Sequence, residues 1–384
     1  MNEREAYIAL NLVDKLGPVR VRALIAALGS PQAVFAASED ALCRAEGVGR
    51  ELARAIVAQR PDVDPAAEER AARALGAAIV TPLDADYPEA LKTIYDPPLA
   101  LYVRGKLRPA DRQAVALVGS RRCTFYGRSV ADRLAGQLAR AGLTVVSGLA
   151  RGIDMAAHEG ALKAGGRTLA VLGSALDRLY PPEGAELAER IAAQGAVISE
   201  YTLGREADRT TFPYRNRIVS GLAKGVLVVE ADTKSGAMIT ARVAAEQGRN
   251  VYAVPGRIDS PASRGCHKLI QEGAKLAADA RDVLEDFELL PGWDAAAGAA
   301  EPGPLSRFQF SAEEQAVVGA LVGGPMDADT LARQSGVGVA ALNGLLLNLE
   351  LKHVVKMLPG RQVELMVRLA PDPTPNTQHP TTNN

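Results

Sequence analysis

The sequence predicts an α/β protein: a parallel sheet covered by helices on both faces, preceded by a small helical domain and followed by a second one that ends in a hairpin. Three observations support this fold class. Glycine and proline break residues 1–60 into short helical patterns, β-branched runs then alternate with helical patterns, and a stretch rich in Ala, Gly and Pro sets the last segment apart. A chain of 384 residues has room for two or three domains.

The central segment, residues 63–290, has the pattern of a doubly covered sheet. Its short β-branched runs are each followed by a turn and then by a helical pattern, which favours parallel strands. Six strands are predicted: Ala114–Val118, Leu143–Val146, Thr168–Leu172, Ala196–Ser199, Val226–Glu230 and Val251–Val254.

The first segment, residues 1–62, is predicted to be all helical. Its turns at 16–22 and 47–53 resemble helix-hairpin-helix turns, in which glycine exposes backbone N–H groups that can bind a DNA phosphate. The second turn is the better match. Acidic residues surround it between Ser38 and Glu46, so a purely structural helical domain is an equally good interpretation.

The last segment follows a predicted flexible linker at 291–304. Residues 305–370 give three helical patterns and then two apolar runs, 354–358 and 363–367, which is the order helix, helix, helix, hairpin. The tail, residues 371–384, is rich in Pro, Thr and Asn and is predicted to be disordered.

Composition excludes several classes of protein. Three distant cysteines and four scattered histidines predict neither a disulfide framework nor a metal site, and we expect no cofactor. The first 15 residues do not resemble a signal peptide, and no apolar run is long enough to span a membrane, so we expect a cytoplasmic protein without membrane insertion. Because the formal net charge is −1, any nucleic-acid site must be a local patch.

Glycine and basic residues recur where predicted strands end. They occur in the turns 119–122, 147–154 and 232–236, where the basic residues are Arg121, Arg122, Arg151 and Lys234. Glycine lets the backbone approach a phosphate, and ligands of open α/β sheets bind at the carboxyl ends of the strands. These turns therefore predict a polyanion site. Neither GxGxxG in the first βα turn nor GxxxxGK[ST] is present, which disfavours a dinucleotide or P-loop enzyme.

The segment 210–221 combines an aromatic ring with two arginines. Arginine beside an aromatic face is what sequence-tolerant binding of a single strand requires, so Phe212 is a candidate for base stacking. The alternative is that Phe212 is a core residue. We expect at least one of Arg215 and Arg217 to pair with Glu200 or Asp232 instead of binding DNA.

Several motifs together resemble the DprA family, also called Smf. They are Gly119-Ser120-Arg121, Ser147 to Asp154 with Ala157-His158, Ala170 to Gly173 through Tyr180-Pro181, Phe212 to Ile218, Val229 to Ala231 with Ser235-Gly236, and Ala253 to Gly256. The resemblance implies an extended Rossmann-like core that binds single-stranded DNA, a helix-hairpin-helix or SAM-like domain before it and a winged helix after it. It also implies a homodimer that protects incoming DNA and loads RecA for recombination in natural transformation.

The resemblance and the turns together give the candidate site residues. The DNA-binding set is Gly119, Ser120, Arg121, Gly148, Arg151, Arg209, Phe212, Arg215, Arg217, Lys234, Ser235 and Gly236. The dimer set is His267, Leu269 and Ile270, although this region departs from the family pattern GxNxLI and reads Arg264 to Ile270 instead.

Two other classes of protein remain open from the sequence. One is an enzyme resembling nucleotide phosphoribohydrolases, but the PGGxGT loop of those enzymes is missing, so we expect no catalytic residue. His158 lacks an accompanying nucleophile motif and is expected to hydrogen-bond locally.

The second class that remains open is a winged-helix regulator with a small-molecule sensing domain. The recognition-type helix at 339–350 is poor in basic residues, which disfavours direct base readout.

Overall fold

The computed structural model describes residues 1–287, 310–321, 324–351, 354–358 and 362–365. The chain divides into two compact units, Met1–Pro291 and Gly292–Asn384. The predicted linker at 291–304 and the tail from 371 lie outside the described residues.

The first unit contains nine strands and fourteen α-helices within its described residues. The strands are β1 (Ala77–Val80), β2 (Leu101–Gly105), β3 (Ala114–Val118), β4 (Thr144–Ser147), β5 (Thr168–Val171), β6 (Ala196–Ser199), β7 (Gly225–Val228), β8 (Asn250–Ala253) and β9 (Lys275–Leu276). The helices are α1 (Glu3–Leu12), α2 (Pro18–Leu28), α3 (Pro31–Ala36), α4 (Glu39–Leu42), α5 (Arg50–Gln59), α6 (Pro65–Ala74), α7 (Glu89–Lys92), α8 (Phe125–Arg140), α9 (Ile153–Lys163), α10 (Ala185–Gln194), α11 (Thr211–Gly221), α12 (Gly236–Glu246), α13 (Arg264–Gln271) and α14 (Ala280–Leu284).

The nine strands form one sheet in the order β1-β2-β6-β5-β4-β3-β7-β8-β9. All pairs from β6 to β9 are parallel, and all six strands predicted from the sequence lie among them. Strands β1 and β2 extend the sheet in antiparallel register, which the sequence analysis did not predict. From β3 the chain builds outward to β6 on one side and then returns to place β7 on the other. The sheet therefore has a topological switch point between β3 and β7, where ligands of such folds bind.

The N-terminal helices pack on this sheet instead of standing apart. Leu99 shares a buried cluster with Leu10 and Leu24, and Ile8 packs with Tyr102 of β2. Gly17 and Gly49 are the N-cap residues of α2 and α5, and neither has a side-chain cap. The main core lies around the parallel strands: β3, β4, β5 and β7 are buried along their whole length, as continuous apolar runs require.

The second unit has the predicted order of helices and hairpin. Its described elements are α15 (Ala312–Ala320), β10 (Met326–Asp327), α16 (Ala328–Ser335), α17 (Val339–Leu351), β11 (Val355–Leu358) and β12 (Gln362–Leu365). Strand β12 pairs with both β11 and β10. The helices and the hairpin bury one small core that includes Val317, Leu331 and Leu349. This is a winged-helix domain. Within the described ranges, no helix is both long and apolar enough to cross a membrane.

Candidate nucleic-acid interface

A cavity of about 720 Å³ opens at the carboxyl ends of β3 and β7. Its walls come from the turn after β3, the turn after β4, the start of α11 and the start of α12. It therefore lies at the switch point of the sheet. Four arginines and two aspartates line it, so the cavity is locally positive although the whole chain carries a formal charge of −1. The arginines are Arg121, Arg122, Arg209 and Arg215, and the aspartates are Asp154 and Asp208.

The turn after β3 is held close against the end of β7. The backbone N–H of Ser120 donates to the carbonyl of Glu230 at 2.7 Å. A Cβ on Gly119 would come within 2.5 Å of Ile153 Cγ1 and 2.9 Å of the Glu230 carbonyl oxygen. Glycine is therefore required at 119 for close packing, and the packing fixes the direction in which Arg121 leaves the turn.

Arg121 and Phe212 meet inside the cavity. The guanidinium of Arg121 lies 4.4 Å from the centroid of the Phe212 ring, a cation–π contact. Tyr180 packs against the same ring with a centroid distance of 5.7 Å and an interplanar angle of 56°. Phe212 is half-buried and lines the cavity, so it is not the fully buried core residue of the alternative interpretation. The cavity thus holds two aromatic rings and a guanidinium in mutual contact.

Arg209 is exposed at the cavity wall and has no ion-pair partner among the described residues. It precedes α11, whose first turn is anchored by Asp208. The Asp208 carboxylate accepts from the backbone N–H groups of Thr210 and Thr211 at 2.7 and 3.0 Å, and hydrogen bonding, first of all from the Thr210 side chain, lowers the pKa of Asp208. The anchored turn leaves the Arg209 side chain free to meet a phosphate.

Arg215 lines the cavity, as predicted, but its side chain is buried. Its Nη1 donates to the carbonyl of Gly148 at 2.7 Å and also to that of Val171. A Cβ on Gly148 would lie 2.4 Å from this guanidinium, so Gly148 is needed to admit it. Burial lowers the pKa of Arg215, while the nearby Asp154 opposes that effect. The residue acts as a buried charge beneath the cavity floor.

Arg217 is also buried and lies outside the cavity lining, so the structure does not bring it to the site with the other predicted DNA contacts. Its Nη2 lies 2.5 Å from Glu200 Oε2 and its Nε 2.9 Å from Asp96 Oδ2. The Tyr214 ring packs 4.1 Å from its guanidinium. The expectation that one of the two arginines pairs with Glu200 is confirmed. Two positions apart on α11, Arg215 and Arg217 point to different sides of the helix.

The start of α12 adds backbone donors to the cavity. Ser235 and Gly236 line it, and the N-cap residue Ser235 makes no side-chain cap bond. The Ser235 hydroxyl is enclosed without a hydrogen-bond partner among the described residues. An uncapped helix N-terminus of this kind favours an anion. Lys234 is exposed beside it but outside the lining.

Arg151 also lies outside the cavity lining and is exposed. Its Nε pairs with Glu183, and this hydrogen bond raises the pKa of Arg151. Arg151 therefore does not converge with Arg121 and Arg122 on the cavity, and its charge is paired with the acidic Glu183 instead.

The three predicted dimer residues lie on α13 and face their own chain. Leu269 is 8% exposed and packs in the main core, and Ile270 packs against the same core. His267 is half-buried, with Nε2 3.0 Å from the carbonyl oxygen of Gly256. Leu269 thus packs in the core of its own chain, and its assignment to a dimer interface stays a prediction.

His158 is confirmed as a local hydrogen-bonding residue. It is fully buried on α9, with Nδ1 2.7 Å from Thr168 Oγ1. Since the Thr168 hydroxyl donates to the carbonyl of Val145, its oxygen accepts from His158, and Nδ1 carries the proton. Burial lowers the pKa of His158 to about 3.

Sequence reasoning missed Tyr180, Asn216 and Thr240 as cavity residues. Tyr180 had a signal, since Tyr180-Pro181 belongs to the recognised motifs, but nothing local to it says that its ring meets Phe212. Asn216 lies on α11 between the two buried arginines, and Thr240 lies one turn into α12. Only the fold brings these side chains to one cavity.

The fold and this cavity define a class: a Rossmann-like protein whose locally positive cavity lies at the switch point of its sheet. A family model described as DNA recombination-mediator protein A matches residues 78–288. The DprA winged helix domain matches residues 295–361, and a SAM-like helix-hairpin-helix tandem matches residues 8–60. The chain belongs to the DprA/Smf family of DNA-processing proteins.

Individual relatives agree with this assignment. Protein Smf of Synechocystis sp. is 38% identical over 295 residues, covering 76% of this chain and 74% of the relative. DNA processing protein DprA of Streptococcus pneumoniae is 46% identical over 206 residues, covering 54% and 73%. The X-ray structure of the S. pneumoniae protein aligns with a TM-score of 0.66 at 34% identity, covering 76% of this chain and 99% of that one.

A second solved structure is that of DNA processing protein A from Helicobacter pylori, a protein described as having a unique mode of binding single-stranded DNA. It aligns with a TM-score of 0.50 at 31% identity and covers 55% of this chain and 97% of that one.

Proposed function

We propose that this chain binds single-stranded DNA in the cavity at the switch point of its sheet. The observation that carries the proposal is the contact of Arg121 with Phe212 and of Phe212 with Tyr180 inside a cavity that also exposes Arg209. Cations follow the phosphates of a strand and aromatic rings stack its bases. The H. pylori relative, which is described as binding single-stranded DNA, supports the same ligand.

Membership of the DprA/Smf family supports a wider role as part of this proposal. The protein protects incoming DNA in the cytoplasm and loads RecA onto it for recombination in natural transformation. It acts as a homodimer. Since Leu269 is buried, the surface that remains for the dimer on this side of the fold is the exposed face of α13 with the edge strand β9, where Leu276 is 46% exposed.

The proposed function includes no catalytic step. Glu230 lies at the strand end where the loop of the phosphoribohydrolases would follow. It is 3% exposed and accepts hydrogen bonds from the backbone N–H and the hydroxyl of Thr124 at 2.8 and 2.6 Å. It is a structural anchor. Incubation with ATP and with nucleoside monophosphates is expected to leave them intact, and release of base or phosphate that Glu230→Gln abolishes would contradict this.

A salt-dependent titration tests the binding proposal. The protein is titrated with a single strand and with duplex DNA of the same sequence at several salt concentrations. We expect tighter binding of the single strand and a linear fall of log K with log salt, with a slope of about −0.7 for each phosphate contact. Equal affinity for the duplex would contradict a cavity that stacks unpaired bases.

A further inference from the structure

Two adjacent aromatic side chains stand in solvent at the start of α8. Phe125 is 76% exposed and Tyr126 is 52% exposed. A single exposed apolar residue needs no explanation, but two consecutive exposed aromatic side chains in one helical turn contribute little to the core and are candidates for binding. We refer to Phe125 and Tyr126 as the α8 aromatic pair.

Hydrogen bonds and close packing hold the first turn of α8, which carries the α8 aromatic pair. Thr124 caps α8 by accepting from the backbone N–H of Gly127 at 3.1 Å, and its own hydroxyl donates to Glu230. A Cβ on Gly127 would lie 2.3 Å from the Glu230 carboxylate, so the first turn of α8 sits directly on that residue. The Tyr126 hydroxyl lies 3.3 Å from the carbonyl oxygen of Pro255. The backbone of this turn and the Tyr126 side chain are therefore held in place, which lowers the entropic cost of binding.

The pair follows the cavity wall closely along the chain. Arg122 lines the cavity, and Phe125 follows three residues later, so their Cα atoms are at most about 11 Å apart. A DNA strand rises about 3.4 Å per nucleotide when its bases are stacked, so this distance corresponds to about three nucleotides. Residues 119–128 contain three arginines and no carboxylate. Arg122 is exposed and has no ion-pair partner among the described residues, which suits a phosphate between the two sites.

We propose that the α8 aromatic pair is a second stacking platform, which takes bases of the same single strand after it leaves the cavity. This inference rests on the proposed function. It predicts that the site spans more nucleotides than the cavity alone accommodates. Phe125 supplies the more exposed ring, and the hydroxyl contact of Tyr126 keeps the turn in place.

The test compares two oligothymidylates, one of about 4 nucleotides that fills only the cavity and one of about 16 nucleotides. Phe125→Ala is expected to weaken binding of the longer strand roughly 5- to 100-fold, with its salt slope unchanged, and to leave the shorter strand unaffected. Tyr95→Ala is the matched control, since Tyr95 is another aromatic residue, 73% exposed, outside the cavity. It should bind both strands like the wild type.

A second variant reports the contact directly. In a Trp293→Phe background, which removes the single tryptophan of the chain, Phe125→Trp keeps a stacking ring at this position. It should retain the wild-type affinity, and the longer strand should quench its fluorescence.

The outcomes separate the two proposals. If Phe125→Ala binds the longer strand like the wild type while Phe212→Ala does not, the platform is refuted and the cavity stands. If Phe125→Ala keeps its DNA affinity but loses only RecA loading, the pair belongs to a protein partner and the platform is again refuted. If the wild-type protein binds neither strand, the proposed function itself fails.

Discussion

At the scale of single residues, Arg121 and Phe212 form one unit. The guanidinium covers a face of the ring at 4.4 Å, so neither side chain meets DNA independently of the other. Under the proposed function, a base that stacks on Phe212 from that side displaces Arg121 toward a phosphate. We therefore expect the two residues to contribute to binding together, although one supplies charge and the other a stacking surface.

This unit leads to the first prediction. Phe212→Ala should cost about 1–3 kcal/mol of binding free energy with little change in salt slope, and Arg121→Ala should reduce the slope by about 0.7. In a double-mutant cycle measured by fluorescence anisotropy, the two losses should be non-additive by at least about 0.5 kcal/mol. Additive losses would mean that the contact in the free protein has no part in binding.

His158 gives the second prediction, a dependence of stability on pH. Burial lowers its pKa to about 3 in the folded chain, whereas an unfolded histidine titrates at about 6.5. The unfolded state therefore binds more protons between these values. The contribution to stability is complete above about pH 6.5 and falls by about 1.4 kcal/mol per pH unit as the pH decreases toward 3.

Urea unfolding at pH 7 and pH 5 measures this effect. The stability lost between the two values should be about 2 kcal/mol smaller in His158→Gln, whose amide can still donate to Thr168 but takes up no proton. His267→Gln is the matched control, because the ring of His267 is only half-buried. If His158→Gln loses as much stability between pH 7 and pH 5 as the wild type and the control do, His158 is not the source of the pH dependence.

At the scale of elements, the packing of α8 against Glu230 requires a glycine at position 127. The third prediction is that Gly127→Ala destabilises the first unit by about 1–3 kcal/mol, since the new methyl group would overlap the Glu230 carboxylate. Gly319→Ala on α15 is the contrasting change, because nothing lies within 4 Å of its added Cβ, and it should stabilise its helix by about 0.5–1 kcal/mol. Thermal melts of both variants measure these changes in stability. A Gly127→Ala variant as stable as the wild type would contradict the close contact between Gly127 and Glu230.

The elements also show what sequence can and cannot predict. Five of the six predicted strands, β3 to β7, are buried along their whole length, and all six were predictable to within two residues at each end. Strand β1 contains two alanines, of which Ala78 is exposed, and β9 has only two residues, so neither carries a strong strand pattern. Their places in the sheet depend on pairing with distant partners.

The same reason limits the prediction of site residues. Turn glycines and the exposed Arg121 and Arg209 were recognisable because local motifs mark them. The burial of Arg215 and Arg217 was not, since it depends on which carbonyls and carboxylates the rest of the fold brings to α11. Leu269 was placed in the dimer set because the family resemblance locates the dimer helix in this region, and its packing in the main core likewise depends on the whole fold.

At the scale of the whole molecule, the binding site belongs to the first unit. The chain divides between Pro291 and Gly292, and residues 339–350 of α17 contain no lysine or arginine. The fourth prediction is that residues 1–290 alone keep most of the affinity for single strands. If the truncated protein folds but no longer binds, the winged-helix domain is the main DNA site.

The most direct test of the central claim is the single-strand affinity of the Arg121→Ala, Arg209→Ala double variant across a salt series. Arg133→Ala, Arg281→Ala is its matched control, since both of these arginines are exposed outside the cavity. A circular dichroism melt near that of the wild type establishes that each variant is folded. We expect the double variant to lose affinity for every sequence, to show a slope smaller by about 1.4, and to fail in loading RecA, while the control behaves like the wild type. A folded double variant that binds single strands as tightly as the wild type and still supports RecA filaments on the DNA it covers would contradict the account.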